Sequence, residues 1–198
     1  MQNLQLRTHN SNTRYQILNA TFSLVTKEPL NRITVTAISK ASGKSIGAIQ
    51  RYFKNINGVL NALGLEVLAD VDENIYKITL NRSLSFKEQV EQLIDLPYHY
   101  PEHLCLLSQI NALIKNNPPL YPFCTKLNAS RNQLFHFFKD GIENEQKNNL
   151  RLRKFNSNDL AILLFTNFEG IYTNTLPSDA DYNKETLLNN IALFFYNN

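Results

Sequence analysis

Residues 34–53 read TVTAISKASGKSIGAIQRYF, and this stretch decides the fold. Thr34 is placed to cap a helix over Val35–Ser42, because its side chain can accept from the first free N–H groups. Gly43 fits the left-handed position that ends such a helix. Ser45 is a second cap, opening a helix to about Phe53. Val35, Ile38 and Ala41 are the expected buried stripe of the first helix. Two short helices joined by Gly43-Lys44-Ser45 make a helix-turn-helix, whose second helix fits the major groove of DNA. With Ile49 at the inward centre of the second helix, Ile46 and Phe53 fall within about 60° of it at 100° per residue. Gly47, Ala48, Gln50, Arg51 and Lys54 then face outward, and none is acidic. Gly47 stands out, since glycine inside a helix costs up to about 1 kcal/mol relative to alanine. Its expected use in a two-turn helix is close backbone approach to a phosphate or base; the alternative is neutral tolerance in the first turn.

Upstream, Ile17, Leu18, Phe22, Leu24 and Val25 give an apolar helical face over 13–27. Pro29 lies just past its end. Downstream, helical segments are expected from about Asn55 to the late seventies, then at 86–98, 101–116, 120–147, 158–175 and 183–196. Pro97, Pro101, Pro118, Pro119 and Pro177 fall between these segments or at their starts. No stretch alternates long enough for a strand. The 6 glycines and 7 prolines are few for a turn-rich β fold. The expected class is all-α, with a three-helix N-terminal helix-turn-helix domain at 1–55 and a larger helical domain at 56–198.

Charge separates the same two regions. The net charge is +3. Residues 1–55 carry eight bases (Arg7, Arg14, Lys27, Arg32, Lys40, Lys44, Arg51 and Lys54) against one acid, Glu28, while the remainder is net acidic. A basic unit on an acidic body suits a polyanion partner. Apolar runs such as Leu160–Phe165 fall far short of the about 20 residues of a spanning helix. MQNLQLRTHNSN holds no apolar stretch of signal-peptide type, so the cytoplasm is the expected location. The two cysteines, Cys105 and Cys124, have no metal spacing and are expected to be buried, reduced thiols.

From Ile17 to Leu63 the chain resembles the tetracycline-repressor (TetR) family of bacterial regulators. The resemblance is carried by Ile17-Leu18-x-Ala20-x-Phe22 and Thr34-Val35-x-x-Ile38-x-x-x-Ser42-Gly43. It continues through Ser45-x-Gly47-x-Ile49-x-x-Tyr52-Phe53 and Val59-Leu60. Phe168-Glu169-Gly170-Ile171 looks like the family's penultimate helix. The resemblance implies that Thr34 caps its helix and contacts a phosphate, that Thr36 lies near the DNA in the first turn of that helix, and that Lys44 and Ser45 are backbone contacts. Ile46, Gly47, Ala48 and Gln50 stand where the family meets base edges, and Arg51, Tyr52 and Lys54 look like phosphate contacts. Three positions depart from the pattern. Gln50 replaces the usual Tyr and can pair bidentately with adenine. Lys44 replaces an aliphatic turn residue, and its stem can cover the same surface. Ile56 replaces a Lys at the start of the fourth helix, and Lys54, two residues earlier, is the expected substitute for that contact.

The resemblance also implies a homodimer. Leu164, Phe168 and Ile171 on one C-terminal helix and Leu188, Ile191 and Phe195 on the last are the expected interface. Tyr98, Tyr100, His103, Tyr121, Phe123 and Phe137 mix apolar bulk with sparse polar tips, as a small-molecule site does. His99 and His103 stand four apart, but Pro101 lies between them and no acid or cysteine set completes a site, so neither metal nor cofactor is expected. Asp70, Asp72 and Glu73 read as a solvated acidic face. Phosphate loops, nucleophile elbows, paired-carboxylate motifs and HExxH are absent from the sequence, so no enzyme is expected. The expected function is a DNA-binding transcriptional regulator, a repressor released from a near-palindromic operator on double-stranded DNA by a small-molecule ligand. The alternative is a helical ligand- or partner-binding protein that no longer binds a specific operator.

Overall fold

A computed structural model describes residues 12–113 and 120–173. Eight α-helices are described: α1 (Thr13–Val25), α2 (Val35–Ser42), α3 (Ile46–Phe53), α4 (Ile56–Thr79), α5 (Phe86–His99), α6 (Pro101–Leu113), α7 (Tyr121–Gln146) and α8 (Ser157–Thr173). Short 3-10 turns lie at Leu30–Arg32 and Leu152–Lys154. Among the described residues there is no strand, so the all-α expectation holds. None of their helices is long and apolar enough to cross a membrane. The expected helix at 183–196, and with it Leu188, Ile191 and Phe195, lies outside the described residues, as do Arg7, Pro118, Pro119 and Pro177.

Contacts divide the chain into two compact units. Among the described residues, the first comprises 12–72, 102–113 and 120–128. In it, Ile17, Leu18 and Phe22 of α1 are buried, as are Ile38 of α2, Ile49 and Phe53 of α3, and Val59, Leu60, Leu63 and Val67 of α4. Thr21 is also fully buried, because its hydroxyl donates to the Ile17 carbonyl at 2.8 Å. The first turns of α7 seat on α4. Asn61 Oδ1 accepts from the Phe123 N–H at 3.0 Å. At Gly64 an added Cβ would meet the Phe123 ring at 2.9 Å and Ile110 at 3.0 Å, so glycine there permits the close approach. Leu30 N–H donates to Gln109 Oε1 at 3.2 Å, tying the turn after α1 to α6.

Among the described residues, the second unit comprises 73–101 and 129–173. Its core joins Val90, Leu93 and Ile94 of α5, Leu134, Phe138 and Ile142 of α7, Leu152, and Leu160, Ala161, Leu164 and Phe168 of α8. Gln89 is buried because its amide donates to the carbonyls of Ile78, Thr79 and Asn81, which the end of α4 leaves open. Ser85 and Glu88 form a capping box at the start of α5, and these bonds hold the Glu88 carboxyl below its usual pKa.

The structure corrects several sequence expectations. Of the expected stripe on α2, Ile38 alone is buried; Val35 is half-buried and Ala41 exposed, because they stand in the first and last turns of an eight-residue helix. Ile46 is 42% exposed, because it opens α3 and no preceding helical turn covers it. Cys105 is exposed and Cys124 half-buried; both are free thiols. The acidic stretch on α4 is not a solvated face. Asp72 is buried, with its carboxylate 3.5 Å from Lys126 Nζ, and Asp70 stands 4.0 Å from His103 Nε2.

Candidate nucleic-acid interface

Local chemistry sets both ends of each helix in the turn motif. Thr34 Oγ1 accepts from the Ala37 N–H at 3.1 Å and opens α2. Gly43 ends it with φ 67° and ψ 15°, the left-handed conformation that glycine adopts without a Cβ penalty. Ser45 Oγ accepts from the Ala48 N–H at 3.2 Å and opens α3. Each capping hydroxyl acts there as acceptor, so its own proton stays available to a phosphate oxygen. The turn is further stapled by two serines whose role the sequence did not reveal. Ser39 Oγ donates to the Lys44 carbonyl at 2.6 Å, and Ser42 Oγ accepts from the Lys44 N–H at 3.3 Å.

On α3, Ile49 and Phe53 point inward. Gly47, Gln50, Arg51 and Tyr52 are exposed, and Ala48 is half-buried. Thr34, Thr36, Ser45, Ile46 and Lys54 are exposed too, while Lys44 is half-buried. The eleven residues singled out in the sequence therefore lie at the start of α2, in the turn, and along or just after α3. The Arg51 guanidinium lies 5.2 Å from the centre of the Tyr52 ring, which orients a planar cation beside the exposed face. An added Cβ at Gly47 would find only Ser45 Oγ, at 4.0 Å. Nothing in the chain's own packing demands glycine there.

Beyond α3 the backbone is strained. Lys54 has φ 66° and ψ −53°, the only positive φ at a non-glycine among the described residues. Asn55 N–H donates to the Phe53 carbonyl at 2.8 Å across it, which makes a γ-turn of the uncommon, strained kind. Such strain is a cost that surrounding structure must sustain. Ile56, which replaces the family's Lys, is half-buried at the start of α4.

The six residues expected at a ligand site fall in both units. In the first, His103 and Phe123 are buried and Tyr121 is 55% exposed. The His103 ring packs on Phe22 at 5.3 Å, and burial pushes its imidazole pKa down. In the second, Tyr98 is 46% exposed, Tyr100 is half-buried, and Phe137 packs against Phe86 and Phe138. His99 and His103 stand on different helices, and His99 pairs with Asp95 at 2.9 Å. On α8, Leu164 and Phe168 are buried in the core of their own unit, with Ile171 packed beside it. Among the described side chains of α8, the exposed large apolar residues are Ile162 and Leu163. Glu169 pairs with Arg131, yet burial still raises its carboxyl pKa.

No family model matches the chain. An 82-residue stretch is 27% identical to the HTH-type transcriptional regulator BetI of Stenotrophomonas maltophilia (strain R551-3), covering 41% of this chain and 42% of that relative. Among solved structures, a putative transcriptional regulator from Saccharomonospora viridis in complex with choline superposes with a TM-score of 0.72. It is 16% identical, over 93% of this chain and 97% of its own. AibR in complex with isovaleryl coenzyme A and operator DNA gives a TM-score of 0.67 at 12% identity, over 93% and 98%. At these identities the likeness shows the fold, which is the one the resemblance to the tetracycline-repressor family implies.

Proposed function

We propose that this chain is a DNA-binding transcriptional regulator of the tetracycline-repressor family, a repressor that a small-molecule ligand releases from its operator. The observation that carries this reading is the outward face of α3. It is exposed, small, polar or basic, free of acids, and keeps a glycine that the chain's own packing does not require. Residues 1–55 form the DNA-binding domain and 56–198 the ligand-binding and dimerisation domain. Thr34, Lys44, Ser45, Arg51, Tyr52 and Lys54 hold the duplex backbone, Thr36 lies near it, and Ile46, Gly47, Ala48 and Gln50 meet base edges. One such helix reads only a few base pairs, so the operator is near-palindromic and the protein binds it as a homodimer. The exposed Ile162 and Leu163 on α8 are the best-placed described residues for that interface, together with Leu188, Ile191 and Phe195. The protein needs no cofactor, is not an enzyme, and works in the cytoplasm.

Reader and backbone contacts are separable by substitution. Gln50→Ala is expected to relax base preference at one position per half-site, worth about 1–3 kcal/mol. Arg51→Ala is expected to weaken selected and random duplexes alike, since phosphate contacts carry no sequence information. Titrating both duplexes with each variant checks this. Equal losses on both duplexes for Gln50→Ala would remove it from the readers.

The repressor reading as a whole is tested by mobility shift on the DNA upstream of the protein's own gene. A panel of small molecules is added, choline and an acyl-coenzyme A among them, because neighbours of this fold were solved with such ligands. A ligand that favours a different spacing of the two α3 helices weakens DNA binding, and DNA weakens the ligand by the same factor. A coupling of about 1–3 kcal/mol predicts a roughly 5–150-fold loss of operator affinity. A tight ligand that leaves operator affinity unchanged would remove the sensor role and leave DNA binding standing.

A further inference from the structure

Arg14 stands in the first turn of α1, where Asn12 Oδ1 caps the helix through the Arg14 N–H. A cation there faces the positive end of the helix dipole. No acid in that turn offsets it. Its guanidinium reaches off the helix instead. Nη1 donates to Glu66 Oε1 on α4 at 2.8 Å. The same group lies over the ring of Phe53, the last residue of α3, 5.9 Å from its centre, and 5.4 Å from that of Tyr15. Arg14 and Glu66 keep about a third of their side chains exposed, at 33% and 31%.

The covalent link from α3 to α4 is the strained turn at Lys54 and Asn55. The close approach of Gly58 to the Phe53 carbonyl fixes where α3 ends, but one fixed point leaves the direction of the helix about that point to be set elsewhere. Glu66 lies about 15 Å along α4 from its start. A bridge from that point back to the end of α3 supplies the second constraint that an angle needs. We propose that Arg14 is a positioning residue, which with Glu66 fixes the angle at which α3 is presented to DNA. This rests on the reading of α3 as the DNA-reading helix.

Electrostatics and positioning predict opposite signs for one substitution. Glu66→Gln removes a negative charge from a unit that binds a polyanion and releases Arg14 toward phosphate, so charge alone predicts tighter binding. Loss of the bridge predicts weaker binding. The probes are the duplex that the wild-type chain selects from a randomised pool and a scrambled duplex of the same composition. Glu66→Gln is expected to lose about tenfold on the selected duplex and nothing on the scrambled one. Arg14→Lys keeps the charge but has no plane to lay on Phe53, and the same selective loss is expected. Thermal melts identify a variant that has merely failed to fold, and the other then decides. Folded variants that bind the selected duplex as tightly as wild type, or tighter, overturn the inference alone. A wild type that selects no sequence overturns the DNA-reading proposal and the inference with it.

Discussion

Gly47→Leu is expected to cost at least about a hundredfold in operator affinity, or about 2.8 kcal/mol, with the melting temperature unchanged or slightly raised. The two effects separate because the position is empty in the free protein. A Cβ there meets only Ser45 Oγ, at 4.0 Å, and the position is exposed, so the rest of the side chain has solvent to extend into. It therefore disturbs no packing, and a better helix former replaces the poorest one short of proline. The same side chain would stand between the helix backbone and the floor of the major groove. Fluorescence anisotropy on the operator duplex, paired with a thermal melt, measures both. A variant that binds the operator normally would show that α3 does not approach DNA by this face.

Gly58→Ala is expected to do the reverse, lowering stability by about 3 kcal/mol through overpacking. At about 2–4 °C per kcal/mol for a chain of this size, the melting temperature falls by roughly 6–12 °C. The added Cβ would lie 1.8 Å from the Phe53 carbonyl oxygen and 2.9 Å from its carbon. Those are backbone atoms, and the same oxygen accepts from Asn55 in the γ-turn at Lys54, so it has little freedom to move aside. A thermal melt followed by circular dichroism checks this. An unchanged melting temperature would show that the junction between α3 and α4 is slack and not fixed. The two glycines stand eleven positions apart and serve opposite ends, one the partner and the other the chain itself.

Chemistry that acts within a few residues was legible in the sequence, and pairing across the fold was not. The bounds of α2 and α3 were legible because Thr34, Gly43 and Ser45 act on groups within three residues of themselves. The outward face of α3 followed from one buried position, Ile49, and the helical period. The period could not place Ile46, since burial at a helix start depends on what precedes it. Nor could it reveal the Arg14–Glu66 pair, whose partners stand 52 positions apart. The γ-turn gave no signal because it sits at a lysine, where positive φ is not expected. The acidic stretch on α4 misled for a related reason: pairing with Lys126 on α7 keeps Asp72 buried, and a single helix's pattern contains no such partner.

The body of the protein was legible in its helices and less so in its surfaces. A helix apolar on adjacent faces, as α8 is, does not declare which face turns inward. The core took Leu160, Leu164 and Phe168 and left Ile162 and Leu163 outside. Aromatic residues in the middle of the chain had the composition of a ligand site. Phe123 fills the space beside Gly64, while Tyr98 and Tyr121 face solvent. Composition alone does not separate those fates.

The central claim is that this chain binds duplex DNA through a basic, acid-free reading face, and the salt dependence of operator binding tests it most directly. Each phosphate neutralised releases counterions, so the logarithm of the binding constant falls linearly with the logarithm of salt concentration. A dimer whose subunits each neutralise about four phosphates gives a slope of roughly −7. That slope, measured by anisotropy on the selected duplex between low and physiological salt, is the predicted result. A slope near zero would contradict it.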